Sequence, residues 1–188
     1  MTLPPASASS PADDLYTVRD FIRYAVSRFT EAKIAYGHGT DNAYDEAVFM
    51  VLEALHLPVD TLEPWLDARL TRPERDWLLE LVDLRVRTRK PAPYLLNKAY
   101  IQGLGFYVDE RVIVPRSFIA EILTGDASPI DDPDAVTSVL DLCTGSGCLA
   151  ILAAHLYPHA QVDAVDLSPD ALDVARRNVS DHKLDDRI

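Results

Sequence analysis

With 188 residues, 48% hydrophobic and 26% charged, the chain has an ordinary globular composition and room for one full-sized domain or two small ones. A formal net charge of −12 argues against non-specific nucleic-acid binding, which rests on basic patches, and suits either a basic partner or simple solubility. No apolar run approaches the roughly 20 residues a membrane helix needs, and Cys143 and Cys148 lack metal-ligand spacing, so they read as reduced, small packing residues of a cytoplasmic protein.

Met1 to Asp14 is rich in small residues and proline without a basic start or an apolar core, and reads as a disordered tail, not a signal peptide. Thr17 caps a helix expected to run to about Tyr36, with Val18, Phe21, Ile22, Ala25, Val26 and Phe29 on one face. Gly37-His38-Gly39-Thr40 breaks it. Asp41 or Asn42 then caps a second helix to about His56, ended by Pro58. A short third helix is expected over about 62–70. Thr71 and Glu74 have capping-box spacing for a fourth, whose basic end, Arg85, Arg87, Arg89 and Lys90, complements the helix dipole. Residues 15–90 therefore read as a small helical domain of their own.

Pro91-Ala92-Pro93 marks a boundary, and the pattern changes period beyond it. Tyr100-Ile101-Gln102 and Phe106-Tyr107-Val108 flank Gly103-Leu104-Gly105 as a hairpin, and Val112-Ile113-Val114 forms a further extended piece. Ser117 caps a helix from Phe118 to Leu123, so 91–123 reads as a hairpin linker. A polar loop then leads into a strand over Val139 to Leu142. A helix from Cys148 to Tyr157, a strand from Gln161 to Asp166 and a helix from Asp170 to about His182 complete a β-α-β-α run over 124–188. Ile188 reads as the first residue of a third strand.

Chemistry concentrates where the first of these strands meets its helix. Gly145 and Gly147 let backbone approach a ligand closely, and helix-start amides donate to it. Gly145-Ser146-Gly147-Cys148-Leu149-Ala150 fits the dinucleotide fingerprint formally. Asp141, four residues before Gly145, instead favours a cofactor with a cationic ammonium, because a carboxylate there repels a pyrophosphate. That pattern is the one used by S-adenosylmethionine-dependent methyltransferases, with Asp166 on the ribose hydroxyls.

Asp141-Leu-Cys-Thr-Gly-Ser-Gly-Cys148, Ala164-Val-Asp-Leu-Ser-Pro-Asp-Ala-Leu172 and Val112-Ile-Val-Pro-Arg116 resemble the protein N5-glutamine methyltransferases, which modify glutamine side-chain amides in translation proteins. The release-factor branch carries Pro-Arg-Pro-Glu-Thr-Glu where this chain has Pro115-Arg-Ser-Phe-Ile-Ala-Glu121. This form, with Gly37-His-Gly-Thr-Asp-Asn42, Asp45-Glu-Ala47 and Tyr94-Leu-Leu-Asn-Lys98, is more similar to the branch acting on the third protein of the large ribosomal subunit. The resemblance implies an α/β fold: a small helical domain that recognises substrate, a hairpin linker, and the first half of a Rossmann-like methyltransferase sheet. It implies S-adenosylmethionine held by Asp141, Cys143, Thr144, Gly145, Ser146, Gly147, Asp166 and Leu167, with Pro115 and Arg116 near the cofactor and the incoming glutamine. The implied partner is a ribosomal protein, or alternatively a release factor. Neither nucleic acid nor membrane is expected as a partner.

The family's catalytic Asn-Pro-Pro-Tyr does not occur in the chain, so no catalytic residue is assigned, nor any metal ligand. The expectation is an N-terminal portion of such an enzyme, inactive alone, with an apolar sheet face and edge open to self-association. A non-catalytic, protein-binding remnant is the competing expectation.

Overall fold

Side-chain caps fix where the first helices begin. In the computed structural model, which describes residues 10–37, 39–125 and 128–188, Thr17 Oγ1 accepts the Asp20 N–H at 3.2 Å while the Asp20 carboxylate accepts the Thr17 N–H at 2.9 Å. The bulk of the expected tail (1–9), His38 of the glycine break, and Asp126 and Ala127 of the polar loop lie outside the described residues. Asn42 Oδ1 caps the second helix through Asp45 N–H at 2.9 Å. Glu74 reaches back to accept the Thr71 N–H at 2.7 Å. These caps open α1 (Val18–Glu31), α2 (Ala43–Ala54) and α3 (Arg72–Thr88).

The helix ends differ from the sequence expectation, for one recurring reason. Lys33 and His56 adopt left-handed φ values of 52° and 57°. The next residue then donates back to the carbonyl five positions earlier, Ile34 to Phe29 at 3.0 Å and Leu57 to Leu52 at 2.9 Å. This closure normally uses glycine, so no glycine signals the stop. It turns Ile34 into the core, where it is 6% exposed.

The helix expected over 62–70 is only a 3-10 turn, Glu63–Trp65. Beyond it the chain runs alongside the start of α1. Ala68 and Leu66 carbonyls accept the Val18 and Arg19 N–H groups at 3.2 and 2.9 Å, satisfying donors that the first turn of a helix leaves orphaned. A continued helix would have used those carbonyls internally. Residues 10–14, assigned from sequence to the tail, form a capped turn with Ala12 fully buried and its carbonyl accepting from Arg75 at 2.7 Å. Pro91 leads into a further short helix, α4 (Ala92–Leu96), that periodicity did not reveal.

Phe21, Phe29, Met50, Val51, Leu78 and Leu81 form the core of this first compact unit, residues 1–96. A buried ion pair lies within the unit. Arg85 is 2% exposed, not part of a solvated basic end as its sequence context suggests. Its guanidinium donates to the Glu46 carboxylate, to Ala35 O at 3.0 Å and to Arg89 O at 2.9 Å. Thr40 adds its hydroxyl to Glu46 Oε2 at 3.2 Å. The pair thus anchors the loop between α1 and α2 to the end of α3.

The second unit, residues 97–188, begins with a two-stranded hairpin, β1 (Ala99–Ile101) and β2 (Leu104–Phe106). Gln102 and Gly103 both have positive φ, the backbone of a tight two-residue turn, so the turn sits earlier than the glycine pattern implies. The expected extended piece at 112–114 forms no strand. After α5 (Phe118–Thr124), β3 (Ser138–Leu142) pairs in parallel with β4 (Gln161–Val165) through the crossover helix α6 (Cys148–Leu156). A further helix, α7 (Pro169–Asp181), follows β4. Hairpin, β-α-β-α order and parallel pairing all agree with the expected fold.

Phe106, Ala150, Ile151, Ala154, Val162 and Val179 pack together on the α6 face of the sheet. Leu140, Leu142 and Val165 lie on the other face and are 59%, 65% and 47% exposed. The Arg187 carbonyl accepts the Val162 N–H at 2.9 Å, so the residues just before Ile188 already lie beside β4. Among the described residues, no helix is long and apolar enough to cross a membrane.

Two outcomes are expected from this packing. Glu46→Ala leaves a buried guanidinium unpaired and should lower the unfolding free energy by about 3–5 kcal/mol in denaturant titrations. His155 packs edge-on against His182, with ring centroids 5.8 Å apart. Burial, His182 and Arg187 together hold its pKa below the ordinary 6.5. The folded state therefore binds fewer protons than the unfolded state below pH 6.5, and stability falls as pH drops through that window. His155→Asn should flatten this part of the stability profile.

Candidate functional site: the glycine turn between β3 and α6

The turn is built by two carboxylates at neighbouring strand ends. Gly147, the residue that opens α6, has no side chain with which to cap it. Asp141, at the end of β3, supplies the cap instead. Its Oδ2 accepts the Ala150 N–H at 3.1 Å and the Thr144 hydroxyl at 2.6 Å. Across the sheet, Asp166 follows β4 and closes the turn from the other side. Its Oδ2 accepts the Gly145 N–H at 2.9 Å and its Oδ1 accepts the Ser168 N–H at 2.9 Å. Those amides of Ser168 and Gly145 hold its carboxyl below the usual carboxylate range.

The backbone between the two acids is tightly wound. Cys143, Gly145 and Gly147 all have positive φ, at 61°, 57° and 80°. Thr144 is buried, and its N–H continues the β3–β4 pairing by donating to Val165 O at 3.0 Å. Gly147 N–H donates to Thr144 O at 3.0 Å. Ser146 is also buried, with its carbonyl turned inward. Cys148 is buried and burial pushes its thiol pKa up, as suits a packing residue. Cys143 departs from that expectation. It is exposed, because the left-handed turn carries its side chain away from the core.

The two glycines serve different needs. A Cβ on Gly145 would meet nothing within 4 Å, so open space lies over this residue. A Cβ on Gly147 would stand 3.2 Å from the Ala175 Cβ of α7, so this glycine is what allows helix and turn to approach.

Eight of the ten expected site residues thus converge at the carboxyl ends of β3 and β4, the usual ligand position in an open parallel sheet. Asp141, Cys143, Thr144, Gly145, Ser146 and Gly147 form the turn, with Asp166 against it. Leu167, the next residue, is fully exposed. Pro115 is buried and Arg116 exposed, and among the described residues neither takes part in the hydrogen bonds of the turn.

One residue that sequence reasoning missed is Asn178 of α7. It is 1% exposed; its amide donates to Ser146 O at 2.8 Å and Tyr107 O at 3.0 Å and accepts the Tyr107 N–H at 2.7 Å. A polar residue on the otherwise apolar face of Ala171, Val174, Ala175 and Val179 was the available signal.

The carboxylates are not exhausted by these internal bonds. An ionised carboxylate offers about four acceptor positions, and Asp166 uses two of them on backbone amides. Among the described residues, no hydrogen bond to Asp141 Oδ1 accompanies the two on Oδ2. Open space over Gly145, spare acceptors at both acids and an exposed Leu167 fit a ligand with an ammonium, vicinal hydroxyls and a flat ring. The glycine variants test the turn itself. Gly145→Ala should cost about 1–2 kcal/mol for its positive φ alone, whereas Gly147→Ala adds overpacking against Ala175 and should cost about 2–5 kcal/mol in thermal or chemical unfolding.

Residues 139–188, the span from β3 onward, match the family described as "Methyltransferase domain". Over 92% of its length the chain is 61% identical to a ribosomal protein uL3 glutamine methyltransferase of Burkholderia pseudomallei, covering 56% of that protein. It is 58% identical to the Bordetella pertussis protein of the same description, over 93% of this chain and 59% of that one. Against the Bradyrhizobium diazoefficiens protein the figures are 56% identity, 98% and 60%. The chain therefore spans less than two thirds of the length of the curated relatives it matches. Over the part it spans, the chain is similar to the ribosomal protein uL3 glutamine methyltransferases.

Proposed function

We propose that these residues form the methyl-donor site of an S-adenosylmethionine-dependent enzyme that methylates a glutamine side-chain amide of ribosomal protein uL3. The observation that carries the reading is the placement of Asp141 and Asp166 on either side of the glycine turn, each with acceptor capacity left over. Asp141 holds the ammonium of the donor's methionine portion. Asp166 accepts from the ribose hydroxyls, and Leu167 covers the adenine. When bound, S-adenosylmethionine supplies an electrophilic methyl group on a sulfonium.

The chain's own contribution is preorganisation. Both acids are already oriented by backbone amides and by Thr144, so the cradle exists before ligand arrives. Presenting the amide nitrogen, a poor nucleophile, is a separate task. The 188 residues contain no Asn-Pro-Pro-Tyr, and we assign that task to residues outside them. Pro115 and Arg116 border the path of the incoming glutamine. The helical unit contributes to recognition of uL3, and the acidity of the chain suits a basic substrate. A ribosomal substrate puts this work in the cytoplasm.

Calorimetric titration of the chain with S-adenosylhomocysteine tests the donor site directly. Saturable binding is expected, weakened roughly tenfold or more by Asp166→Ala, since hydrogen bonds to a charged acceptor contribute about 1.5–3 kcal/mol each. Absence of binding to the unaltered chain would refute the reading. The transfer itself is read by mass spectrometry of uL3 after incubation with S-adenosylmethionine and a protein that also carries the Asn-Pro-Pro-Tyr segment. A 14-Da gain on glutamine, as expected for one methyl in place of one hydrogen, supports uL3 as substrate; the same gain on a release factor and not on uL3 would reassign it.

A further inference from the structure

The one amide group of Asn178 holds two chain segments far apart in sequence. Toward the glycine turn, it donates to the Ser146 carbonyl at 2.8 Å. Toward the hairpin, it accepts the Tyr107 N–H at 2.7 Å and donates to the Tyr107 carbonyl at 3.0 Å, pairing with that peptide as a neighbouring strand would. Oδ1 and both protons of Nδ2 are thereby used, and the side chain is 1% exposed.

The segment that Asn178 grips is itself stiffened. Tyr107 donates its hydroxyl to Asp109 Oδ2 at 2.8 Å, and Asp109 pairs with Arg111 at 2.7 Å. Arg177, the neighbour of Asn178 on α7, lies 3.5 Å above the Tyr107 ring. Four and five residues beyond Arg111 come Pro115 and Arg116. On the other side, Ser146 lies between the two glycines whose backbone forms the cradle. A shift of the Ser146 peptide on ligand entry therefore reaches Tyr107 through a single rigid amide.

We propose that Asn178 is a positioning residue that couples the glycine cradle to the Tyr107–Arg116 segment, so that the shape of one is set by the other. The consequence for a donor-binding protein rests on the function proposed above; the mechanical coupling does not. Asn178 touches neither substrate nor cofactor. It acts by holding the Ser146 carbonyl inward, which keeps the Gly145 and Gly147 amides in their left-handed turn.

Amide hydrogen exchange on the ligand-free chain decides the coupling. Asn178→Ala should speed exchange roughly tenfold or more at the Tyr107 peptide and, in the same variant, at the amides of 144–147, while the first unit stays unchanged. Asn178→Asp keeps an acceptor for the Tyr107 N–H but loses the donors. It should loosen 144–147 with a smaller effect at Tyr107. Arg177 grips the same tyrosine from the same helix without touching the turn, so Arg177→Ala should leave 144–147 unchanged. Coupling is overturned if 144–147 keeps its protection in Asn178→Ala, or if Arg177→Ala loosens the turn equally.

Uniform acceleration across the whole second unit in both Asn178 variants would also overturn it, by showing a merely structural role. With S-adenosylhomocysteine added, protection should rise at residues 104–112 of the unaltered chain and not in Asn178→Ala. Failure of the unaltered chain to bind that ligand would refute the donor site, while the ligand-free measurement still decides the coupling.

Discussion

Everything in the second unit depends on how a glycine turn with no capping side chain is held in place. An α-helix leaves its first amides without partners, and Gly147 at the start of α6 offers nothing to satisfy them. The solution is to borrow carboxylates from strand ends. Asp141 reaches from β3 to Ala150 in the first turn of α6, and Asp166 reaches across from the end of β4 to Gly145. Parallel pairing with Asp141 opposite Ala164 is what brings the two acids to the same end of the sheet. A one-residue slip of that register would turn the side chains of β4 to the opposite face and disrupt the bond that closes the turn.

The same constraint explains the small residues of α7. Ala175 lies against Gly147, and any larger side chain at either position would push turn and helix apart. Close approach in turn lets Asn178 reach Ser146. The hairpin is then tied to that helix by Asn178, by Arg177 over Tyr107 and by His182, whose Nε2 is 3.0 Å from the Gly105 carbonyl. Rigidity at the cradle is thus distributed over three segments that are not neighbours in sequence.

In the first unit, the comparable element is the Glu46–Arg85 pair. Its burial carries a desolvation cost that is offset only because nearly every polar position is satisfied. What it specifies is geometry, joining the α1–α2 loop to the end of α3. From sequence, Arg85 belonged to a run of basic residues with an adequate explanation in the helix dipole. Only the pairing across 39 residues shows that one member of the run is interior.

Much of this molecule was legible in its residues. Helix starts were readable because caps are local: Thr17, Asn42, Ser117 and Ser168 each satisfy an amide two or three positions away. The β-α-β-α order and the glycine cradle were readable because strand period, turn glycines and strand-end acids recur within a short stretch. Helix ends were less so, since Lys33, His56 and Lys183 take left-handed turns without glycine. The turns at Lys33 and Lys183 are offset by burial of Ile34 and Leu184 against residues distant in sequence, which no local window contains. The helix did not continue past Trp65 for a related reason, because the carbonyls of Leu66 and Ala68 serve the amides of α1. Sequence by itself determined which chemistry collects at the turn. Only tertiary structure decided that Asp141 acts first as a cap, that Gly147 is required by Ala175, and that Asn178 joins cradle to hairpin. Those are contacts between residues 9 to 71 positions apart, formed only when the sheet has set its register.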